Sequence, residues 1–205
     1  MKVLVLDAMG VIYQAGDDVV ELLIPFICER TDTAPDIIEE LYRQCSLGEF
    51  SSSSFWQQVG LDASVEDEYL NGHLLVDGLR EFIAEAKKHY ESVWCLSNDV
   101  SEWSSKLRQK HDLTSLFNGF VISGDVRSRK PSKEIYEALF TASNAEPSEV
   151  IFIDDRPKNV IAAIDSGMEA ILFGKQQDAA ENLRLASDFS ELKSILIAQQ
   201  SHHRC

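Results

Sequence analysis

The sequence predicts an α/β fold, a three-layer Rossmann-like parallel sheet with a small inserted helical cap. Short apolar runs rich in β-branched residues recur along the chain, and amphipathic helical patterns stand between them. Strands that are covered on both faces lack polar alternation, so this order is typical of a parallel sheet wrapped by helices. A third observation, a long segment after the first run with helical patterns and no strand, predicts the insertion.

The regular elements follow one another in a simple order. Five runs are expected to form strands: residues 3–6, 93–96, 119–122, 150–153 and 170–173. Four helices, with apolar residues three to four positions apart, are expected between them: residues 79–89, 102–110, 133–143 and 157–166. Gly167 follows the last of these, where a glycine commonly ends a helix. A further amphipathic helix is expected at about 191–198, before a frayed tail.

Residues 14–76 interrupt this alternation. They contain helical patterns at 19–30, 36–45 and 53–59, and they carry 13 acidic residues with Arg30 and Arg43 as their only cations. We therefore expect two units: a core formed by residues 1–13 and 77–205, and a helical cap formed by residues 14–76.

Composition excludes several classes of function. The 34 acidic and 19 basic residues give a net charge of −15, which would repel a nucleic acid backbone. No apolar stretch approaches the roughly twenty residues needed to cross a membrane, and Asp7 interrupts the apolar start too early for a signal peptide. The four cysteines form no CxxC pair, which favours a reducing, cytoplasmic location. The expected partner is a small molecule.

Four polar sites lie directly after strand-like runs or in the loops beside them. They are Asp7, Ser97 with Asn98, Lys130, and Asp154 with Asp155. Because the carboxyl ends of parallel strands face a common crevice, we expect these side chains to converge. Each site alone has an ordinary explanation, such as a helix cap, a strand-to-helix turn or a solvated lysine.

In order and spacing, these sites resemble the four motifs of the haloacid dehalogenase-like hydrolases. Residues 3–11 are similar to the first motif, 93–98 to the second, 129–131 to the third and 152–155 to the fourth. The resemblance covers nearly the whole chain, and residues 48–56 look like the small helical cap that one subfamily carries between motifs one and two. It implies a strand order of 5-4-1-2-3, numbered along the chain, with the cap closing over the crevice.

The resemblance also implies a covalent mechanism that uses Mg2+. Asp7 would attack phosphorus and form an aspartyl-phosphate. A hard cation held by oxygen atoms would offset the repulsion between the two anions. Its ligands would be Asp7, Asp155 and the backbone carbonyl of Met9, with Asp154 binding through water or supporting the site.

The remaining motif residues would bind phosphate. Ser97 and nearby backbone N–H groups would donate to the equatorial oxygens, with help from Asn98. Lys130 would contact both the phosphate and Asp7, and it would hold that carboxylate ionised.

Met9 departs from the family pattern. Phosphatases of the family usually carry there a second aspartate, which protonates the leaving group and then activates water. Losing such a group typically costs about 10²–10⁴-fold in rate. Some small-cap members have glycine at this position, so proton transfer could pass through water or a cap residue. His73 lies near the expected junction of cap and core, although an exposed histidine without a mechanistic role is the ordinary expectation.

Three alternatives to an ordinary phosphatase follow from this departure. A 2-haloacid dehalogenase needs no proton for its leaving group, and Ala8 and Gly10 look like its motif, but the Asp154–Asp155 pair is of the metal-binding type. The phosphonate-cleaving branch needs a cap lysine, and no lysine occurs between positions 2 and 87. A non-catalytic protein could bind a ligand or partner in the same crevice. The favoured interpretation is a Mg2+-dependent phosphatase acting on a small phosphorylated metabolite.

Overall fold

The computed structural model of the chain describes residues 2–174 and 182–202. Its centre is one parallel sheet with the strand order β3-β2-β1-β4-β5-β6. The strands are β1 Val3–Leu6, β2 Ser92–Ser97, β3 Gly119–Ile122, β4 Val150–Asp154, β5 Glu169–Phe173 and β6 Leu185–Ala186. The five predicted strands are therefore confirmed in their predicted order. The two-residue β6, which pairs with the outer edge of β5, was not predicted because so short a strand leaves no pattern.

Helices fill the connections between the strands. The α-helices are α1 Ile24–Cys28, α2 Pro35–Cys45, α3 Ser52–Gln58, α4 Glu66–Leu70, α5 Leu79–Ala86, α6 Ser101–Lys110, α7 Ser123–Val126, α8 Lys133–Ser143, α9 Pro157–Asp165 and α10 Phe189–His202. Short 3₁₀ turns cover Ala63–Val65 and Pro147–Glu149. Residues 14–76, all of which the structure describes, contribute helices and no strand.

The helical pattern at 19–30 is divided in the structure. A π-helical turn at Val19–Leu23 leads into α1, and Pro25 stands in the first turn of α1. Proline has no N–H to donate to an earlier carbonyl, so the hydrogen-bond register changes at that residue.

Both faces of the sheet are buried, which explains why its strands lack polar alternation. Leu4 and Leu6 of β1 belong to one apolar cluster, which also contains buried residues of α5, α6, α10 and the helical segment 14–76. Val3 and Val5 belong to a second cluster, with buried residues of α8 and α9. No helix among the described residues is long and apolar enough to traverse a bilayer.

The helical segment is joined to the core by a buried glutamate. Glu66 of α4 accepts hydrogen bonds from the indole N–H groups of Trp56 in α3 (2.9 Å) and Trp103 in α6 (2.8 Å). Lys106 of α6 lies 2.9 Å from its other oxygen. Trp56 and Trp103 are almost fully buried, so these contacts fix the segment against the helix that follows β2.

Candidate active site

The predicted site residues meet at the carboxyl ends of the central strands. Asp7 follows β1, Ser97 ends β2 and Asp154 ends β4. The N–H of Asp7 donates to Ile153 O at 2.8 Å, which continues the pairing of β1 with β4 and holds the two acidic positions side by side. Lys130 reaches them from the loop between α7 and α8.

Lys130 lies at the centre of this group, and its side chain is 1% exposed. Its Nζ lies 2.6 Å from Asp7 Oδ1 and 2.8 Å from Asp154 Oδ2, and it donates to Leu96 O at 2.8 Å. Burial opposes the charge of the lysine, but the two carboxylates outweigh it and raise the pKa of Lys130 above its usual range. The lysine is therefore a buried structural charge rather than a solvated surface one.

Asp154 is fully buried, and both of its oxygens are engaged. Oδ1 accepts from the backbone N–H of Arg156 at 2.7 Å, and Oδ2 accepts from Lys130. The amide of Asn159 donates to both oxygens at 3.0 and 3.1 Å. These contacts hold the carboxylate as a fixed part of the floor of the site.

Asp7, Asp154 and Asp155 each offer a carboxylate oxygen, and these oxygens lie within 4.8 Å of one another. Burial, followed by the neighbouring charge of Asp154, raises the pKa of Asp7 well above its usual range. The same two causes raise the pKa of Asp155 from 3.8 to about 7. Arg156 Nε lies 3.7 Å from Asp155 Oδ1. Three buried acids with Lys130 and Arg156 still carry excess negative charge, which is the situation that a bound cation relieves.

Gly10 explains how Asp155 fits so close to the first motif. Its φ is +73°, and a Cβ placed there would overlap Asp155 Oδ2. A side chain at this position would therefore displace the carboxylate, and the backbone conformation itself favours glycine.

Ser97 and Asn98 occupy different environments. Ser97 is buried, and its Oγ has no hydrogen-bond partner among the described residues. The Asn98 side chain is paired with the backbone of Lys130: it donates to Lys130 O at 2.9 Å and accepts from Lys130 N at 2.7 Å. The structure thus uses Asn98 to fasten the loop that carries the lysine, while the Ser97 hydroxyl remains available.

A cavity of about 200 Å³ opens above these side chains. Its walls include Asp7, Met9, Gly16, Asp17, Asp18, Val19, Tyr42, Asn98, Arg129, Lys130, Asp155, Arg156, Lys158 and Asn159. The wall opposite the strand ends comes from the helical segment and its entry loop. A volume of this size holds a phosphate group with a small organic substituent.

Several wall residues were missed by the sequence argument. Arg156 donates to Gly16 O at 2.7 Å and to Asp17 Oδ2 at 3.0 Å, which ties the loop after β4 to the entry of the helical segment. Arg129 hydrogen-bonds Ser46 and lies over the ring of Tyr42 at 5.4 Å. Charged residues beside a motif look like surface residues in sequence, so no periodic signal could have identified them.

His73 is buried, against the expectation of an exposed histidine. It is 1% exposed, and its Nε2 lies 3.9 Å from Asp18 Oδ2. The backbone carbonyl of His73 contacts Nε2 of His111 at 2.8 Å. His73 is not among the cavity walls, whereas Asp18 is.

Comparison with known proteins gives one family. The model of the haloacid dehalogenase-like hydrolases matches residues 1–167. Flavin mononucleotide hydrolase 1 of Arabidopsis thaliana is 28% identical over 113 residues, which are 55% of this chain and 46% of that protein. A sesquiterpene phosphatase of Aspergillus oryzae is 27% identical over 145 residues, covering 67% of this chain and 74% of that protein. The chain thus spans less than half the length of the first relative and about three quarters of the second.

Solved structures share the fold along almost the whole chain. A HAD phosphatase from Thermococcus onnurineus has a TM-score of 0.74 at 18% identity, covering 96% of this chain and 98% of its own. An L-2-haloacid dehalogenase from Xanthobacter autotrophicus has a TM-score of 0.69 at 14% identity, with coverage of 96% and 98%. Phosphatase and dehalogenase chemistry occur on this one fold, so the reaction must be argued from the site.

Proposed function

Because the chain belongs to the haloacid dehalogenase-like hydrolases, we propose that it is a Mg2+-dependent phosphatase that acts on a small phosphorylated metabolite through an aspartyl-phosphate. The observation that carries the proposal is the grouping of Asp7, Asp154 and Asp155 around Lys130 at the floor of a small cavity. An acidic pair of this kind after the fourth strand favours phosphoryl transfer over carbon–halogen hydrolysis, which needs no cation.

The donor set fits Mg2+. The ion prefers a small number of carboxylates together with other oxygen atoms, and the three acids here are buried and mutually close. Asp7, Asp155 and the backbone carbonyl of Met9 are assigned as its ligands. Asp154, whose oxygens already accept hydrogen bonds, supports the group or contacts the ion through water. When bound, Mg2+ supplies the positive charge that lets a phosphate dianion approach a carboxylate.

The nucleophile is positioned by two donors on one oxygen. Asp7 Oδ1 accepts from the backbone N–H of Ala8 at 2.6 Å and pairs with Lys130 at 2.6 Å. The other oxygen, Oδ2, is therefore the atom assigned to attack phosphorus. Attack forms an acyl phosphate bond between Asp7 Oδ2 and phosphorus as the bond to the leaving oxygen breaks, and water then hydrolyses this aspartyl-phosphate.

The groups around the nucleophile are assigned to the transferred phosphate. The buried Ser97 hydroxyl, which has no partner among the described residues, would donate to an equatorial oxygen, and Lys130 would neutralise developing charge. Asn98 fixes the Lys130 backbone, so it positions the lysine rather than contacting the phosphate.

The helical segment 14–76 is assigned as a cap. It contributes Gly16, Asp17, Asp18, Val19 and Tyr42 to the cavity wall. Closure of such a wall over the strand ends excludes water other than the attacking molecule. The cavity of about 200 Å³ fits a small phosphate ester.

The test is a screen of small phosphate esters for phosphate release, with a 2-haloacid assayed for halide release. Mg2+-dependent phosphate release that EDTA abolishes is expected. Asp7→Asn should leave the far-ultraviolet circular dichroism unchanged and remove turnover, because the shape is kept while the nucleophile is lost. Asp165→Asn, at the exposed end of α9, is the matched control and should remain active. Undiminished activity in EDTA, halide release, or turnover by the Asp7 variant would contradict the proposal.

A further inference from the structure

Asp18 is a buried carboxylate in the wall of the same cavity as Asp7 and Met9. The residue is 6% exposed and stands just before the helical turn Val19–Leu23. It belongs to the helical segment, which supplies part of the cavity wall. Its position lies outside the four motifs.

The usual structural explanation does not account for this residue. Aspartate before a helix generally caps the free N–H groups of the first turn, but the side chain of Asp18 makes no capping hydrogen bond. Its neighbour Asp17 has that contact instead, since Oδ1 of Asp17 accepts from Val20 N at 3.2 Å. Asp18 is therefore turned inward at the expense of a capping interaction.

The Asp18 carboxylate is also poorly satisfied. Oδ2 is buried and has no hydrogen-bond partner among the described residues. The nearest cationic group is His73, with Nε2 at 3.9 Å from that oxygen. A buried carboxylate oxygen without a hydrogen bond costs free energy, and such groups concentrate at functional sites.

The other titratable groups facing Asp18 come from three elements. They are Tyr42 of α2, Tyr69 of α4, and Asp99 in the loop between β2 and α6. Burial is the first cause that raises the pKa of each, and the charge of Asp18 raises it further. Tyr42 also hydrogen-bonds Asn98 O at 3.2 Å. Of the two aspartates in this group, Asp18 is the one that lines the cavity.

We propose that Asp18 is the general acid–base of the reaction, replacing the carboxylate that Met9 lacks, and that His73 is a positioning residue behind it. This inference rests on the proposed phosphatase function. The Met9 thioether cannot donate or accept the proton, and Asp18 is a carboxylate in the same small cavity. The proton therefore comes from the cap side rather than from the first motif.

The two steps balance as follows. In the first, Asp7 bonds to phosphorus, the bond to the leaving oxygen breaks, and the proton of the Asp18 carboxylic acid moves to that oxygen, giving an alcohol and an Asp18 carboxylate. In the second, Asp18 takes a proton from water as the water oxygen bonds to phosphorus and the acyl phosphate bond between Asp7 and phosphorus breaks. Inorganic phosphate leaves, Asp7 is again a carboxylate, and Asp18 is again protonated.

The experiment compares Asp18→Asn with the wild-type protein on p-nitrophenyl phosphate and on a small alkyl phosphate. For the alkyl ester, whose leaving group needs the proton, the variant should lose about 10²–10⁴-fold in kcat. The aryl ester should still transfer its phosphate to Asp7, and slow hydrolysis of that intermediate should give a burst of one nitrophenolate per site. Asp165→Asn is the control and should give no burst and no loss.

A second variant guards against a simple folding defect. Met9→Asp added to Asp18→Asn places a carboxylate two residues after the nucleophile, and it should restore alkyl ester hydrolysis at least tenfold. His73→Leu should lower kcat for the alkyl ester at least tenfold more than for the aryl ester, because only the alkyl leaving group depends on a correctly placed Asp18; a merely structural histidine would affect both esters equally.

These experiments distinguish a failure of the Asp18 assignment from a failure of the proposed phosphatase function. An active wild-type protein whose Asp18→Asn variant loses equal activity on both esters, without a burst or rescue, overturns the role of Asp18 and leaves the phosphatase intact. An unchanged variant does the same. Absence of Mg2+-dependent phosphate release from the wild-type protein overturns the proposed function, and the Asp18 assignment with it.

Discussion

Asp155→Asn is expected to stabilise the metal-free protein at neutral and higher pH while removing its activity. Burial and the charge of Asp154 raise the pKa of Asp155 from 3.8 to about 7. A carboxyl whose pKa is higher in the folded chain binds its proton more tightly there. The free energy of unfolding therefore falls as the pH rises from the unfolded pKa toward the folded one. Asparagine keeps the shape of the side chain and removes this titration.

The size of the effect follows from the shift. About three pKa units correspond to about 4 kcal/mol of lost stability well above pH 7. We compare the free energies of unfolding of the two proteins at two pH values. The value for the variant minus the value for the wild-type protein should be about 3 kcal/mol larger at about pH 8 than at about pH 4.5. Removing the charge also eases the burial of Asp7, whose pKa Asp155 helps to raise.

The assay is urea unfolding in EDTA at both pH values, followed by circular dichroism, for the wild-type protein, Asp155→Asn and the exposed-site control Asp165→Asn. Added Mg2+ should then narrow the difference between the two proteins at the higher pH. The wild-type protein should gain about 2.7 kcal/mol at a hundredfold excess over its Kd, and the variant little. A difference between the two proteins that does not change with pH would refute the electrostatic argument.

Three further perturbations test the site and its support. Gly10→Ala should raise the Mg2+ concentration needed for half-maximal activity by about tenfold or more, because its Cβ would displace Asp155 in a backbone conformation that disfavours alanine; an unchanged metal titration would contradict this. Lys130→Met leaves two buried carboxylates without their cation and should cost about 3–5 kcal/mol in urea unfolding at about pH 8; a loss under 1 kcal/mol would contradict it. Glu66→Ala leaves the buried indole N–H groups of Trp56 and Trp103 without an acceptor, and it should lower the free energy of unfolding by about 2–5 kcal/mol. An unchanged melting temperature would show that the glutamate does not join the helices.

The sheet was predictable because its signal is local and repeated. Each strand is a short apolar run, and burial on both faces removes the polar alternation that would have indicated a half-exposed strand. The order of the strands came from the resemblance, and the structure agrees with it. The division at Pro25 and the two-residue β6 were not predictable, since they depend on a hydrogen-bond register and on an edge contact.

The meeting of Asp7, Lys130 and Asp154 was also predictable, because parallel strands bring their carboxyl ends to one edge whatever lies between them in sequence. The motifs did not predict how the charges of these side chains balance. Lys130 is almost fully buried and forms ion pairs with two carboxylates, so its charge offsets the cost of burying those two groups. The third carboxylate, Asp155, lies 3.7 Å from Arg156 Nε, yet burial and the charge of Asp154 raise its pKa to about 7, and this excess of negative charge makes the site suited to a divalent cation.

Asp18 shows where sequence reasoning stops. An aspartate before a helical pattern indicates a cap, and the neighbouring Asp17 has that role, so only the direction of the side chain distinguishes the two. The expectation of an exposed His73 was wrong for a similar reason, since nothing in the neighbouring sequence indicates that its side chain is buried. Met9 leaves the first motif without a carboxylate that could act as general acid–base. Asp18, the residue assigned to that role, lines the cavity from the helical segment. Moving the proton donor between the first motif and the helical segment would therefore require substitutions in both.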